Sequence, residues 1–431
     1  MKKIIYLFRN DLRLHDQPVL KQFKNSKDVL LLPVFCFDER WFVTHKLGFP
    51  KTGNFRTKFL IETVNNLKSN LQKLGSDLLI TYDKTEEVIS ELVNKLNADE
   101  IYAEKEDTSE DIFIEDELKK RLNIPIHYQE SKTLLRTNQL PFSISNLPDI
   151  FTNFRKKVEP LLYLVETIDV TDNLPPFPDE FRNDVKFSLD DFGLTEPIKD
   201  DRAVMNFIGG EDEGLKRLNK FIWLDKNILH YRETRNQMIG EGYSSKFSPW
   251  LANGSLSARK IFAEIKKFEE EVEANESTYW LVFELLWRDY FRFVAKKYGN
   301  KIFYKGGIKN KKNNYTNDFD SFEKWRTGKT GNDFVDANMI ELLKTGFMSN
   351  RGRQNVASYL CKDLKTDWRW GASWFESQLI DYDVASNWCN WMYIAGVGND
   401  PRENRYFNIN KQAEMYDADN SYRRLWLEEN L

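Results

Sequence analysis

Residues 377–398 read SQLIDYDVASNWCNWMYIAGVG, and in helical spacing this run sets Asp383, Asn387 and Trp391 four residues apart on one face, with Asp381 beside them. A polar stripe that turns aromatic suits a ligand with both hydrogen-bonding edges and π-faces. Upstream, FMSNRGRQNVASYL (347–360) contributes Asn350, Arg353 and Gln354, and DWRWGASWF (367–375) contributes further tryptophans. Two carboxylates this close need a cation to stay ionised, and Arg353 against Asp381 supplies one. Taken singly, the tryptophans are helix-packing residues and the arginine and aspartate a structural pair. Taken together, they are costly to bury unless a ligand fills the space.

Toward the N-terminus the pattern changes. The first third alternates short apolar runs, IIYLF (4–8), VLLLPVFCF (29–37), DLLITY (77–82), EIYAE (100–104) and IPIHYQ (124–129), with amphipathic helical segments. That alternation implies an α/β domain over residues 1–130, a parallel five-stranded sheet covered by helices on both faces. From 131 to 200 the periodicity fades, and NLPPFPDE (173–180) is too proline-rich for regular structure, so the region reads as a connector. Residues 201–431 carry amphipathic helix nearly throughout, an all-α domain rich in Trp, Phe and Tyr.

The chain has 431 residues and a formal net charge of −4, so any polyanion site must be a local patch. Basic residues gather at Arg292, Lys296 and Lys297 and on to Lys312, and again at Arg402 and Arg405. Cys36, Cys361 and Cys389 have neither zinc nor disulfide-framework spacing, which points to a reducing, cytoplasmic setting and no metal. No apolar run is long enough for a membrane span. Two further motifs carry chemistry. In WLVFELLWRDYFRF (280–293), Glu284, Trp287 and Arg288 share one helical face, and on their own they read as a buried acid neutralised by its neighbour. In YSSKFSPWL (243–251), Ser248 followed by Pro249 is a helix-start signature, and a helix N-terminus offers N–H groups to an anion.

Jointly these segments resemble the photolyase and cryptochrome family, and the wording from FMSNRGRQNVASYL to VGNDPRENRYFN is most similar to its DASH-type members. The resemblance spans essentially the whole chain. It implies an N-terminal antenna-binding domain and a helical FAD-binding catalytic domain. On that resemblance Tyr231, Ser244, Ser245, Lys246 and Ser248 hold the cofactor and its diphosphate, with Glu284 and Arg288 beside it. Asn350, Arg353, Asp381, Asp383 and Asn387 would surround the flavin ring, with Asn387 at the nitrogen protonated on reduction. Glu284 would hydrogen-bond a cyclobutane pyrimidine dimer and Trp287 would stack on it. Asn350, Gln354 and Tyr393 would complete the catalytic pocket, and Arg292, Lys296, Arg402 and Arg405 would hold the DNA. The implied reaction is light-driven: excited, reduced FAD lends an electron to the dimer, whose two ring bonds break. A monomer acting on DNA, with no membrane partner, is expected.

Departures from the family pattern refine this expectation. Gln354 stands where duplex-repairing members carry methionine, and Tyr393 where they carry a second stacking tryptophan, so dimers in single-stranded DNA are the expected substrate. Enzymes for (6-4) photoproducts use pocket histidines, but here His15, His45, His127 and His230 all lie upstream of the main flavin segment. The sequence stops at Leu431 without the long tail of signalling cryptochromes. A blue-light, DNA-binding regulator with little repair is the alternative reading, and a duplex photolyase the third. The family's electron relay would run from Trp391 through Trp368 to Tyr315, which stands at the outer tryptophan position. A methenyltetrahydrofolate antenna would contact Glu106 in YAEKEDTSED, with Lys51, Gly53 and Arg155 completing its pocket.

Overall fold

In the computed structural model, which describes residues 1–169, 172–402 and 405–428, the five apolar runs become the strands of one sheet. They are β1 (Lys2–Phe8), β2 (Val29–Asp38), β3 (Leu79–Asp83), β4 (Glu100–Glu104) and β5 (Ile126–Gln129). The order is β3-β2-β1-β4-β5 and every pairing is parallel. Helices α1 (Asn54–Lys73), α2 (Thr85–Leu96) and α3 (Ser109–Arg121) run between the strands. Alternation of side chains fixes the two faces. Ile4, Tyr6 and Phe8 pack with Leu67 and Leu71 of α1, while Ile5 and Leu7 pack with Leu92 of α2 and Leu118 of α3. Both faces are therefore apolar, which explains near-continuous hydrophobic runs rather than alternating ones.

Pro33 sits inside β2, where a missing N–H would normally break the ladder. The N–H of Leu31, two residues earlier and so on the same edge, donates to Pro176 of the connector at 3.2 Å. β3 pairs with β2 only from Val34 onward, so the proline lies on an edge that no strand yet occupies.

The described residues of the connector hold one α-helix, α4 (Phe151–Val158), among short 3₁₀ turns. Its proline-rich stretch seals the sheet instead of forming an element: Leu174 joins the core on one face and Phe177 the core on the other.

The helical region is built around α5 (Glu276–Tyr298), with α6 (Asn350–Ser358), α7 (Trp368–Gln378) and α8 (Val384–Ala395). Asn275 caps α5, accepting from the N–H groups of Ser277 at 2.9 Å and Thr278 at 3.1 Å, a device worth about 1 kcal/mol. Asp383 does not lie within α8 as the spacing predicts. It is the N-cap of α8, accepting from the Ser386 N–H at 2.8 Å, because a carboxylate is more favourable there than in a helix interior. Helices α7 and α8 meet closely at Gly371, where any β-carbon would overlap the Trp391 ring. No helix among the described residues is long and apolar enough to cross a membrane.

Candidate functional site

Two hollows, of about 580 and 1090 Å³, share Asn350, Arg353, Asp381, Asp383 and Ser386 as a common wall and form one cavity through the helical region. Every residue that the resemblance assigns to the cofactor borders it, although those residues come from five separate segments. Arg353 donates to Asp381 at 2.9 Å and to the Met348 carbonyl at 2.9 Å. The second Asp381 oxygen is buried with no partner among the described residues. Burial alone would raise the Asp383 carboxyl, but Arg292 and Arg288 more than offset it and hold it below the usual range. Asn387 donates to the Ala372 carbonyl at 3.0 Å, tying α8 to α7.

The loop before Pro249 behaves differently from its motif. Ser248 begins a helix of only five residues and caps nothing; the N-cap is Phe247, whose side chain has no acceptor. Ser244 and Lys246 both adopt left-handed backbone conformations, φ 53° and 55°, which places the serines half-exposed and buries Tyr243 and Lys246. The Lys246 ammonium turns into its own loop. It donates to the carbonyls of Glu241, at 3.1 Å, and Tyr243, and lies 3.4 Å from the Tyr243 ring centre.

At the far mouth of the cavity Glu284 pairs with Arg235, a residue the sequence reading missed although it lies four after Tyr231 in the same motif. Burial pushes the Glu284 carboxyl up, with Arg235 opposing. Phe151 from α4 covers one face of Trp287, with ring centres 3.7 Å apart and planes 12° from parallel. Tyr393 stands edge-on to the same indole at 6.0 Å and 88°. The Tyr393 hydroxyl accepts from Arg405 at 2.9 Å, and Arg405 also pairs with Asp400. Gln354 accepts from Arg351 at 2.8 Å. Arg402 is exposed nearby.

The other expected DNA contacts are corrected. Arg292 is buried, its guanidinium held by Asp107 at 2.8 Å and by Asp383, while Lys296 is paired with Asp107 and Glu130. Lys297, their neighbour in the run, pairs with Asp149. The acids that neutralise this basic run are absent from the run itself but arrive from other elements.

A third cavity, of about 1030 Å³, lies between the sheet domain and the helical region, bordered by Lys51, Arg56 and Glu106 on one side and Tyr382 and Asp383 on the other. Glu106 is buried, not solvent-facing. Burial raises its carboxyl, but Lys132 and Arg9 outweigh that and hold it low. Two expected members are misplaced. Gly53 lies outside the cavity lining, its N–H donating to the Ser377 carbonyl at 2.8 Å. Arg155 belongs to α4, where it pairs with Glu159 and lies against Phe283, near Trp287.

Along the expected relay, Trp391 packs edge-on against Phe375 at 5.0 Å and Trp325 at 6.1 Å. Trp368 packs against Trp388 at 5.7 Å and donates to the Lys305 carbonyl at 3.1 Å. The Lys305 ammonium in turn lies 5.3 Å from the ring centre of Tyr315.

Known proteins resemble the chain over nearly its whole length. Residues 4–178 match the family described as DNA photolyase, and 280–430 match the FAD binding domain of DNA photolyase. Cryptochrome DASH of Xenopus laevis is 49% identical over 99% of this chain and 82% of its own length. The crystal structure of a Synechocystis cryptochrome superposes with a TM-score of 0.95 at 48% identity, covering 99% of this chain and 89% of that one. A bacterial class III photolyase from Agrobacterium tumefaciens superposes at 0.81 with 26% identity, covering 99% and 86%.

Proposed function

The chain belongs to the photolyase and cryptochrome family, and we propose that it is a blue-light flavoprotein that repairs cyclobutane pyrimidine dimers, preferentially in single-stranded DNA. The residues fit FAD. A buried carboxylate oxygen without a partner beside Arg353 can accept from the ring, and the half-exposed serines at 244, 245 and 248 can face a diphosphate. When bound, FAD supplies the light-excited electron donor. The protein's own part is to position and to exclude water. Asp381 and Arg353 orient the ring, Glu284 offers the dimer a carboxyl whose burial favours its protonated, donating form, and Trp287 offers a face.

The single-strand preference rests on the pairing of Trp287 with Tyr393. One stacking platform is present, backed by Phe151, while the second ring stands edge-on with its hydroxyl tied to Arg405. Flipping a dimer out of a duplex costs a few kcal/mol, and a pocket with one platform offsets less of that cost than one with two. In the interdomain cavity we place a methenyltetrahydrofolate antenna, with Glu106 and Lys51 as its polar contacts.

The test is to illuminate reduced protein with blue light alongside matched single- and double-stranded oligonucleotides, each carrying one dimer. Faster repair of the single strand is expected. Repair of neither overturns the enzyme reading in favour of a light-responsive regulator, and equal repair of both removes the argument from Tyr393 and Gln354.

A further inference from the structure

Three residues from three distant segments form a buried line of charge between the interdomain cavity and the flavin cavity. Arg292, on α5, is 3% exposed and gives one terminal nitrogen to Asp107 at 2.8 Å and the other to Asp383. Asp107 borders the interdomain cavity and neither hollow of the flavin cavity, whereas Asp383 borders all three. Asp383 also starts α8, the helix that brings Asn387 and Trp391 to the flavin cavity. The Arg292 Nε has no partner among the described residues, so the two carboxylates set where the guanidinium lies. The groups around this line are charged as well. Lys296 reaches the other oxygen of Asp107 at 3.2 Å, and Arg288, bordering the flavin cavity, donates at 2.6 Å to the carbonyl of Lys132, whose ammonium holds Glu106.

The guanidinium is a rigid fork, so a shift toward one of the two buried carboxylates moves it away from the other. We propose that Arg292 is a positioning residue that couples the two cavities: a change in the hydrogen bonding of Asp107 is passed through Arg292 to Asp383, to the start of α8 and so to flavin affinity. The inference rests on the reading that FAD occupies the cavity bordered by Asp381 and Asp383. Because the coupling is one of binding free energies, it acts equally in both directions. Lysine at this position would keep the charge but lose the rigid fork that spans both acids.

A double-mutant cycle tests this. The dissociation constant of FAD from apoprotein is measured by flavin fluorescence for wild type, Asp107→Asn, Asp383→Asn and the double variant, and again with Arg292→Lys in each. Asp107→Asn, although outside the flavin cavity, should weaken FAD, and the double variant should depart from the product of the single effects by about threefold or more. Both effects should vanish with Arg292→Lys. Independent single effects, or an effect of Asp107→Asn that persists with Arg292→Lys, overturn the inference and leave the flavin site standing. A wild type that binds no FAD, or whose FAD binding is unmoved by Asp381→Ala, overturns both. Melting of the apoproteins is followed in parallel, and a variant that lowers only the melting midpoint and leaves FAD affinity unchanged counts against coupling.

Discussion

The flavin cavity and the interdomain cavity share a short wall at Tyr382 and Asp383, yet the acids on its two sides are arranged in opposite ways. On the flavin side Asp381 keeps one buried oxygen unpartnered and Arg353 remains a quarter exposed. On the interdomain side Glu106 is engaged by Lys132, Asn10 and Arg9 and Asp107 by Arg292 and Lys296, so these charges are balanced without any ligand. A buried polar atom left unsatisfied costs about 1–3 kcal/mol, and a ligand that satisfies it recovers that amount. The flavin cavity thus leaves a carboxylate oxygen beside its arginine for an occupant to satisfy, while an occupant of the interdomain cavity reaches Glu106 and Asp107 only by exchanging their existing partners.

The sharpest way to break this contrast is Asp381→Ala. It strands Arg353, and loss of one member of a buried pair costs roughly 3 kcal/mol at the low end, appropriate for an arginine still partly exposed. Purified protein should lose its flavin absorbance while folate binding persists. The mirror experiment is Glu106→Gln, expected to weaken methenyltetrahydrofolate by about 1–3 kcal/mol in a titration followed by absorbance, with flavin content unchanged. Because Glu106→Gln leaves Asp107 and Arg292 in place, a fall in flavin content as well would show a second route between the cavities besides the one through Arg292.

A smaller effect concerns acid. Asp383 has a folded-state pKa below its unfolded value of about 3.9, so its stabilisation is fully present above that pH and disappears as pH falls through the lowered value. Urea unfolding between about pH 5 and pH 2 should show a steeper acid loss in wild type than in Asp383→Asn. The smallest change to the fold is Tyr315→Phe. It removes a hydroxyl that accepts from Asn313 at 2.9 Å and should leave stability nearly untouched while slowing flavin photoreduction, read as the rate of absorbance change under blue light. An unchanged rate would remove Tyr315 from the relay.

The five strands were legible because each is a short apolar run bounded by turn residues, and a sheet covered on both faces imposes that pattern locally. The Arg353–Asp381 pair was legible too, since two acids two residues apart beside an aromatic helix call for a cation. What escaped is what sequence distance hides. Arg292 read as part of a free basic run because its neutralising acid Asp107 lies 185 residues away, and charge counting along a helix cannot see across that separation. Arg155 was assigned to the interdomain cavity for the same reason: its own helix gives no sign that it lies against Phe283 of α5. The Ser248-Pro249 signature misled differently, by marking a helix start correctly to within a residue while the cap itself fell to Phe247.

The ring stack between Phe151 and Trp287 gives the connector a part in how the protein assembles. Trp287 belongs to the central helix of the C-terminal region, but the surface behind it is supplied by a helix that precedes that central helix by more than a hundred residues. The aromatic platform therefore does not exist in the C-terminal region alone. It matures only when α4 docks, so the connector must find α5 before the platform is finished, and a cut between the two would separate pieces that are each structurally unfinished.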